Sequence, residues 1–345
     1  MTSGAPGVSS AVLLCLLAVA ACGSPAPAAG APAAPAPLMS STEARDILTA
    51  YDGANNQVNA AADLDGLPRI ETTPLARASS AEMQVRKLLK QPPPLLASTD
   101  PRFAIPFAAA GQPWFVATST RLRGDVVATN QSYLVFSRRD QNSPWLAAYS
   151  LTLPTGVQAP AFALNGSSAA TAVTDFGDLR IRPGELAERN FNHYVKNLAG
   201  KDGFGRSVAL DGQLAKGYQA ASEILRDRGT RFTRTPGGKV TQVFALRTDD
   251  GGALVFSAGT VVDVLSPLRQ PGTVSLSRGS NEAALAGNAS GMTAAKLTIT
   301  RQQSFLTHIP SRASGNPVNL LAYTDFPISI CWQPDPKKEK TRCSK

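Results

Sequence analysis

Histidine and cysteine, the residues that most often hold transition metals, are scarce in this sequence. Its 345 residues include two histidines, His193 and His308, and four cysteines. None of them stands in a His-Glu-x-x-His or Cys-x-x-Cys pattern, and no clustered carboxylates accompany them. Isolated histidines are ordinarily surface or core residues, so we predict no metal site and no cofactor.

Common catalytic motifs are absent as well. There is no Gly-x-Ser-x-Gly elbow, and no Ser-x-x-Lys pattern stands out. Residues 200–205 contain three glycines without a phosphate-loop pattern and follow a predicted helix, which indicates a helix-breaking loop. Residues 249–252, Asp-Asp-Gly-Gly, lack the alternating ligands of a calcium loop and predict a hairpin turn. We assign no catalytic residue, and the sequence favours a protein that is not an enzyme.

Charged residues are missing from the first 21 positions, which contain no Asp, Glu, Lys or Arg. Residues 11–21 form an apolar run of signal-peptide length, too short to span a membrane as a helix. The run ends in Val19-Ala20-Ala21-Cys22, which resembles the lipobox of bacterial lipoproteins. The resemblance implies a signal peptide over residues 1–21 and a diacylglyceryl group on Cys22, with palmitate among its acyl chains. It also implies a location on the outer face of the cytoplasmic membrane.

Two alternatives stay open at this end of the chain. Residues 1–10 contain no Lys or Arg, so either the start codon is placed too late or the terminal amine alone supplies the positive charge. An ordinary secretory signal cleaved nearby would make Cys22 incidental. Residues 24–37 are almost entirely Ala, Pro and Gly, a composition that predicts an extended, disordered tether over residues 22–39. Two acyl chains at its start would anchor the protein stably.

Cysteine usage predicts one disulfide. Cys15 would leave with the signal peptide, and Cys22 would carry the lipid. Cys331 and Cys343 are then the remaining pair, in a compartment where disulfides persist. We predict that they close the basic tail, residues 331–345, as a structural staple, because their spacing is not that of a redox-active pair.

The net charge of +9 lies entirely outside the first 21 residues, so the mature protein is basic. Outside the cell, such a balance fits anionic lipid or a cell-wall polymer more readily than nucleic acid. The predicted partners are therefore the membrane, through the lipid on Cys22, and an anionic envelope polymer or a protein. No nucleic acid is expected.

The remaining chain divides into two stretches with the same order of predicted elements. The first, residues 40–180, opens with a capping box, Ser40 to Glu43, and apolar residues spaced by three and four that predict a helix. The second, residues 181–330, opens with Pro183 at a plausible first helical turn. Helices are predicted at about 40–62, 80–89, 183–198 and 214–225, and strands at 103–107, 114–122, 132–138, 145–153, 240–247, 253–265, 296–308 and 318–330.

This repetition predicts an internal duplication and an α+β fold. The fold would consist of two tandem similar units, each with helices followed by a twisted antiparallel sheet that its own helices can cover. A coincidental similarity between two ordinary α+β segments is the alternative.

Several short patterns carry a family resemblance. They are Glu43-Ala44 through Tyr51, residues 55–59 (Asn-Asn-Gln-Val-Asn), Glu71, the region of Leu75, and the strands that begin at Trp114-Phe115 and Trp145-Leu146. Together they resemble uncharacterised lipoproteins of actinobacteria such as streptomycetes, which carry a C-terminal domain of unknown function after a lipobox and a stalk. The resemblance covers most of residues 42–330. It implies location and architecture but no activity.

We therefore interpret the chain as a membrane-anchored extracytoplasmic lipoprotein with a non-enzymatic binding or scaffolding role in the cell envelope. Its ligand would be an envelope component, a partner protein or a small apolar molecule held between sheet and helices. The first place to look is a set of five aromatic residues, whose more ordinary role is in the core of the sheet. They are Trp114, Phe115, Tyr133, Phe136 and Trp145. An envelope enzyme with a divergent, unrecognised active site and a chaperone-like secretion accessory are the alternatives.

Overall fold

A computed structural model describes residues 36–93, 95–107, 111–123, 126–166, 168–196, 203–239, 242–269, 271–334 and 341–344. Cys22, the predicted signal peptide and most of the predicted tether lie outside these residues. Within them, no helix is both long enough and apolar enough to cross a membrane.

The first helix, α1 (Ser41–Ala61), begins where the capping box predicts. The Ser40 hydroxyl accepts a hydrogen bond from the backbone N–H of Glu43 at 3.1 Å, which satisfies an amide of the first turn. The helix ends at Ala62, which adopts a left-handed conformation. Its buried face begins with Ala44 and Leu48.

The other helices are α2 (Leu75–Leu89), α3 (Leu186–Lys196), α4 (Lys216–Asp227) and α5 (Asn281–Leu285), with a π-helix (Val208–Ala215) directly before α4 and short 3₁₀ turns at Leu67–Arg69, Pro183–Glu185 and Arg312–Ser314. The strands are β1 (Leu96–Pro106), β2 (Trp114–Arg123), β3 (Val126–Ser137), β4 (Leu146–Thr152), β5 (Leu164–Asn165), β6 (Ala169–Ala170), β7 (Thr230–Lys239), β8 (Phe244–Arg247), β9 (Ala253–Pro267), β10 (Val274–Leu276), β11 (Met292–Ala294), β12 (Lys296–Ile309), β13 (Asn319–Gln333) and β14 (Arg342–Cys343).

The strands form two large sheets and one small one. The first sheet has the order β4-β3-β2-β1-β6-β5, and β1 to β4 are consecutive antiparallel neighbours. The second sheet has the order β14-β13-β12-β9-β7, also antiparallel, and β8 pairs with β9 beyond the end of β7. Strands β10 and β11 form a separate two-stranded ribbon in the part of the chain that connects β9 to β12. The fold is therefore mixed α+β, as predicted.

The two large sheets pack face to face. In β2, Phe115 and Ala117 point toward α1 and pack with Leu48, whereas Val116 between them points the other way and packs with Phe256 of β9. Successive side chains of a strand point to opposite faces, so this alternation means that both faces of the first sheet are buried. Helix α1 covers one face, and the second sheet covers the other.

The second sheet is buried on both faces as well. In β9, Leu254 belongs to the core shared with the first sheet, and Val255 belongs to a core on the opposite face. That opposite core includes Phe305 of β12, Phe191 of α3 and Leu210 of the π-helix. The described chain is thus built in four layers, helix, sheet, sheet and helices. We expected each sheet to be covered by its own helices. Helix α1 covers the first sheet and α3 the second, but α2 of the first half packs with α5 and β13 of the second half, and the inner faces of the two sheets cover each other.

Strand β7 was not predicted, and the strand predicted at 240–247 is confined to Phe244–Arg247. Pro236 and two glycines follow one another within β7, and the pairing with β9 shifts register there. Proline lacks a backbone N–H and is found mainly in edge strands and at bulges, and β7 is an edge strand with a register shift at Pro236.

Candidate functional site

The residues singled out from the sequence do not form one site. Cys22 lies outside the described residues. Cys331 and Cys343 form a disulfide whose Cα atoms are 4.0 Å apart, and the two residues face each other across the β13–β14 pair. The disulfide therefore fastens the short strand β14 to the edge of the second sheet.

The five aromatic residues are packing residues. Phe115, Tyr133 and Phe136 are buried, and the rings of Phe115 and Phe136 stack with centroids 5.0 Å apart. Trp145 lies edge-on to Phe115, and Trp114 lies against Phe244 of the second sheet, 4.9 Å between centroids. These contacts fill the core on both faces of the first sheet.

The two histidines are also apart from each other. His193 of α3 is buried against Phe204, with its Nε2 3.2 Å from a carboxylate oxygen of Asp211. His308 is the second-last residue of β12, and its Nε2 lies 3.1 Å from a carboxylate oxygen of Asp250. Across the described ranges, His, Cys, Asp and Glu nowhere gather in the groups of three or more that a metal ion needs.

A cavity of about 270 Å³ lies where α1 and α2 meet strands of both large sheets. We call it the polar cavity, because most of its lining side chains are polar. They are Tyr51, Asn55, Asn59, Glu71, Leu75, Ala78, Ser79, Glu82, Arg86, Leu96, Arg121, Ser150, Ser304, Thr324, Asp325 and Phe326. Both halves of the chain therefore contribute to it.

Helix α1 supplies one wall from a single face. Tyr51, Asn55 and Asn59 are spaced by four residues and therefore lie one above the other. The Asn59 amide donates hydrogen bonds to the backbone carbonyl oxygen of Asn55, at 2.8 Å, and to its side-chain oxygen, at 2.9 Å. Arg86 of α2 donates in turn to the side-chain oxygen of Asn59, which ties the two helices together.

Glu71 is the most deeply buried carboxyl of the cavity, with 3% of its surface exposed. Its backbone is fixed because the N–H of Thr72 donates to the carbonyl oxygen of Ala147 and the N–H of Ala147 donates to that of Ile70, both at 2.9 Å. The Tyr51 hydroxyl donates to Glu71 Oε1 at 2.9 Å. The other oxygen, Oε2, is buried and accepts no hydrogen bond of good geometry.

Burial raises the pKa of Glu71, because a charged carboxylate loses more hydration than a neutral acid. The Ser79 hydroxyl, which approaches the carboxyl without forming a well-aligned hydrogen bond, and the Tyr51 hydroxyl both lower that pKa, but burial outweighs them. The pKa of Tyr51 is also well above its usual value, mainly through burial and then through the charge of Glu71. Tyr51 therefore stays a hydrogen-bond donor, and Glu71 keeps its proton to a higher pH than an exposed glutamate does.

An ion pair closes the cavity toward the first sheet. Arg121 of β2 donates to Asp52 of α1 at 3.0 Å, and both residues are 8% exposed. The backbone N–H of Ser98 donates to the second carboxylate oxygen of Asp52 at 2.8 Å. The Nε of Arg121 is buried without a hydrogen-bond partner.

On the second sheet, Asp325 belongs to a group that we call the charge network: Arg234, Asp263, Glu282, Arg301 and Asp325. Arg301 donates to Asp325 and to Glu282, and Arg234 pairs with Asp263 through two hydrogen bonds. Gln303 also donates to Asp325, at 3.0 Å. Burial lowers the pKa of Arg234, but hydrogen bonds and charge from Asp263 together with the charge of Asp325 raise it above its usual range. Asp325 also lines a second cavity, of about 390 Å³, beneath α4.

Comparison with known proteins places this architecture in a family. The model of a domain of unknown function, DUF8094, matches residues 35–328, a range that contains every residue of the polar cavity. The chain belongs to the DUF8094 family. No solved structure matches it.

Relatives of this DUF8094 chain occur in streptomycetes and are named as uncharacterized lipoproteins. One from Streptomyces coelicolor is 31% identical over 217 residues, which cover 60% of this chain and 61% of the relative. A second from the same organism is 28% identical over 68% of each chain, and one from Streptomyces avermitilis is 30% identical over 61% of each. The match thus spans about three fifths of the first relative's length. The predicted resemblance to actinobacterial lipoproteins with a domain of unknown function is confirmed.

The DUF8094 fold brings together residues to which the sequence assigned no role. Tyr51, Asn55, Asn59, Glu71 and Leu75 all belong to the patterns that carry the family resemblance, and all line the polar cavity. One signal was available, because the apolar stripe of α1 turns into a stripe of asparagines toward its C-terminal end. That change indicates a buried face that meets a polar space.

Proposed function

We propose that this chain is a lipoprotein, held on the extracytoplasmic face of the membrane by lipid on Cys22, that binds a ligand in the polar cavity without converting it. The observation that carries the binding function is the buried carboxyl of Glu71, one oxygen of which has no hydrogen-bond partner of good geometry. An unpaired buried polar atom costs about 1–3 kcal/mol. Such groups are rare in native proteins, and a ligand that hydrogen-bonds to Glu71 would recover this cost.

The anchor is supported by the lipobox-like Val19-Ala20-Ala21-Cys22, by the composition of residues 22–39 and by the lipoprotein names of the relatives. Replacing Cys22 with Ala should remove the acceptor of the lipid. We expect the protein to move from the membrane fraction to the medium or to persist as a larger precursor. If Cys22→Ala leaves both fractionation and size unchanged while Cys15→Ala behaves identically, the anchor is disproved.

The tandem organisation is part of the same proposal. Two units, residues 40–180 and 181–330, would each consist of helices followed by four antiparallel strands that are neighbours in one sheet, β1 to β4 in the first and β7, β9, β12 and β13 in the second. The common order of elements supports an internal duplication. The polar cavity would then lie on the seam between the two units, and the tail 331–345 would close the second.

We favour binding without chemical conversion of the ligand, because the charged groups of the cavity form ion pairs with one another. Arg121 is paired with Asp52, and Asp325 is held by Arg301 and Arg234.

One observation favours an envelope enzyme instead. Glu71, with its raised pKa, and Asp325, held between arginines, line the same cavity, and carboxyls in contrasting environments are the groups that general acid–base catalysis uses.

A ligand screen with the detergent-purified lipoprotein tests the proposal. We expect compounds that raise its melting temperature to lose this effect in Ala78→Leu, which adds bulk to the cavity wall, and to keep it in Ala60→Leu, at an exposed position of α1. Each such compound is then incubated with the protein and analysed for products. Turnover would establish the enzyme, and the absence of any compound that depends on Ala78 would overturn the binding site.

A further inference from the structure

The charges that line the polar cavity are balanced within the protein. Arg121 Nη2 lies 3.0 Å from Asp52, and Arg86 lies 4.0 Å from Glu82. Asp325 lies between two arginines, and burial favours the neutral form of Glu71. An ion that entered would lose hydration without meeting an unpaired opposite charge, which is costly in a buried site. The cavity is therefore suited to an uncharged ligand.

Its hydrogen-bonding groups are of the kind that both donate and accept. Hydroxyls of Ser150 and Ser304 line the cavity from the two sheets, and Asn55 adds an amide. Glu71 adds a buried acceptor without a partner, and a donor as well when it carries a proton, and Arg121 Nε is a buried donor without a partner. A ligand that satisfies such a lining must itself donate and accept at several points, as a compound with many hydroxyl groups does.

The size of the polar cavity and the apolar part of its lining limit the chemical class of the ligand further. Phe326 of β13 and Leu75 of α2 give the cavity an apolar surface against which the C–H face of a sugar ring can pack. The volume of about 270 Å³ is at the lower end of ligand sites, which typically measure about 300–1,000 Å³. It suits one ring rather than a chain of several.

We infer that the polar cavity binds a single neutral sugar residue, free or at the end of an envelope glycan, through Glu71, Arg121 and Asn55. This inference rests on the proposed binding function and specifies its ligand class.

The test is saturation-transfer NMR and calorimetry on the detergent-purified lipoprotein with three sets of probes. The first contains neutral sugars, namely glucose, galactose, mannose, arabinose and N-acetylglucosamine. The second contains charged compounds of similar size, namely glutamate, glycine betaine, putrescine and inorganic phosphate. The third is decanoate, an apolar chain. We expect binding of at least one neutral sugar and none of the others.

Variants test whether the sugar binds in the polar cavity. Glu71→Ala should weaken sugar binding about tenfold, because it removes a buried hydrogen-bonding group. Glu71→Gln should stay within about threefold of the wild type, because an amide both donates and accepts as the protonated acid does. Wild-type binding should weaken as the pH rises through the pKa of Glu71, and Glu71→Gln should abolish that dependence.

Ala78→Leu, which adds bulk to the cavity wall, should abolish sugar binding. If Ala78→Leu does not fold, Ser150→Leu, on another wall of the cavity, replaces it in the experiment.

The outcomes separate the two proposals. A charged compound or decanoate that binds in a manner sensitive to Glu71 and Ala78, with no sugar bound, would overturn the sugar inference and leave the binding function standing. If no probe of any set binds in a manner sensitive to these positions, the sugar inference is wrong. The wider screen proposed above then decides the binding function separately.

Discussion

Glu71 and Tyr51 form a hydrogen-bonded pair of acids in which Tyr51 donates its only hydroxyl hydrogen and Glu71 accepts with one oxygen. The other oxygen of Glu71 has no partner of good geometry, and burial raises the pKa of the carboxyl. The contribution of this pair to stability falls when Glu71 ionises, because ionisation leaves a buried charge. Protonation of a single residue therefore links pH to folding and to the proposed site.

The first prediction concerns this linkage. A carboxyl whose pKa is raised by folding stabilises the protein fully below its unfolded pKa, about 4.3 for Glu, and loses that contribution as the pH rises through the folded pKa. Glu71→Gln cannot ionise, so its melting temperature should rise relative to that of the wild type as the pH increases from about 4 to 8. Thermal unfolding at several pH values measures this. Glu223→Gln, at an exposed position of α4 away from the polar cavity, is the control. Parallel curves for Glu71→Gln and the wild type would contradict the raised pKa.

The second prediction concerns the buried ion pair. Arg121→Met removes one partner and leaves Asp52 buried with an unpaired charge, which should cost about 3–5 kcal/mol in free energy of unfolding. Arg139→Met, in a pair with Asp140 where the arginine side chain is 89% exposed, should leave the free energy of unfolding almost unchanged. Denaturant titration compares the two variants. A similar small cost for both would show that the Arg121 pair is as weak as an exposed one.

These residue contacts mark the limit of sequence-based reasoning. The capping box and the face of α1 could be predicted, because they depend on neighbours within one turn. The meeting of Tyr51 with Glu71, or of Asp52 with Arg121, could not, because partners 20 and 69 residues apart are set by the packing of whole elements.

At the scale of elements, α4 differs from the other long helices because none of its residues is buried. Tyr218 and Leu225 are only half-buried and line the cavity of about 390 Å³ between the helix and the charge network. The π-helix directly before α4 is a rare conformation that is common at functional sites. Helix α4 is thus a loosely packed cover over one face of the second sheet.

The third prediction follows from this packing. Leu225→Ala should cost about 1 kcal/mol or less, whereas Leu48→Ala in α1 should cost about 2–5 kcal/mol, because Leu48 is 2% exposed in a filled core. Backbone amides of α4 should also exchange with deuterium faster than those of α1. Mass spectrometry of the exchanged protein measures this, and equal protection of the two helices would contradict it.

Elements were predicted best where burial is regular. Strands β2, β4, β9, β12 and β13 lie close to their predicted ranges, because each contains apolar or β-branched residues along much of its length. Strand β7, and the insertion of β10, α5 and β11, were missed because edge and surface elements have mixed composition that local patterns do not separate from loops. Helix α2 begins at Leu75, five residues before its predicted start.

At the scale of the whole molecule, the two large sheets share one core, although the sequence predicts two similar halves. Apolar runs such as Phe115-Val116-Ala117 show in sequence that both faces of a strand are buried, but they do not show what covers each face. In the structure, Tyr133 and Tyr149 of the first sheet lie against Phe256 of the second, each with ring centroids 6.2 Å apart. The α+β class and the lipoprotein family were therefore predictable from sequence, whereas the stacking of the sheets was not.

The last prediction concerns this shared core. If the sheets stabilise each other, the described chain should unfold in one transition, and Phe256→Ala should lower its midpoint with a cost of about 3–5 kcal/mol. Deuterium exchange should rise in β3 and β4 as well as in β9, because Phe256 contacts residues of both sheets. Calorimetry combined with exchange measures both effects, and Phe232→Ala, in the edge strand β7 outside the shared core, is the control. Two separate transitions, with only the residues after 180 affected by Phe256→Ala, would mean that the halves fold independently. In that case the polar cavity, which takes residues from both halves, would depend on their docking rather than on their folding.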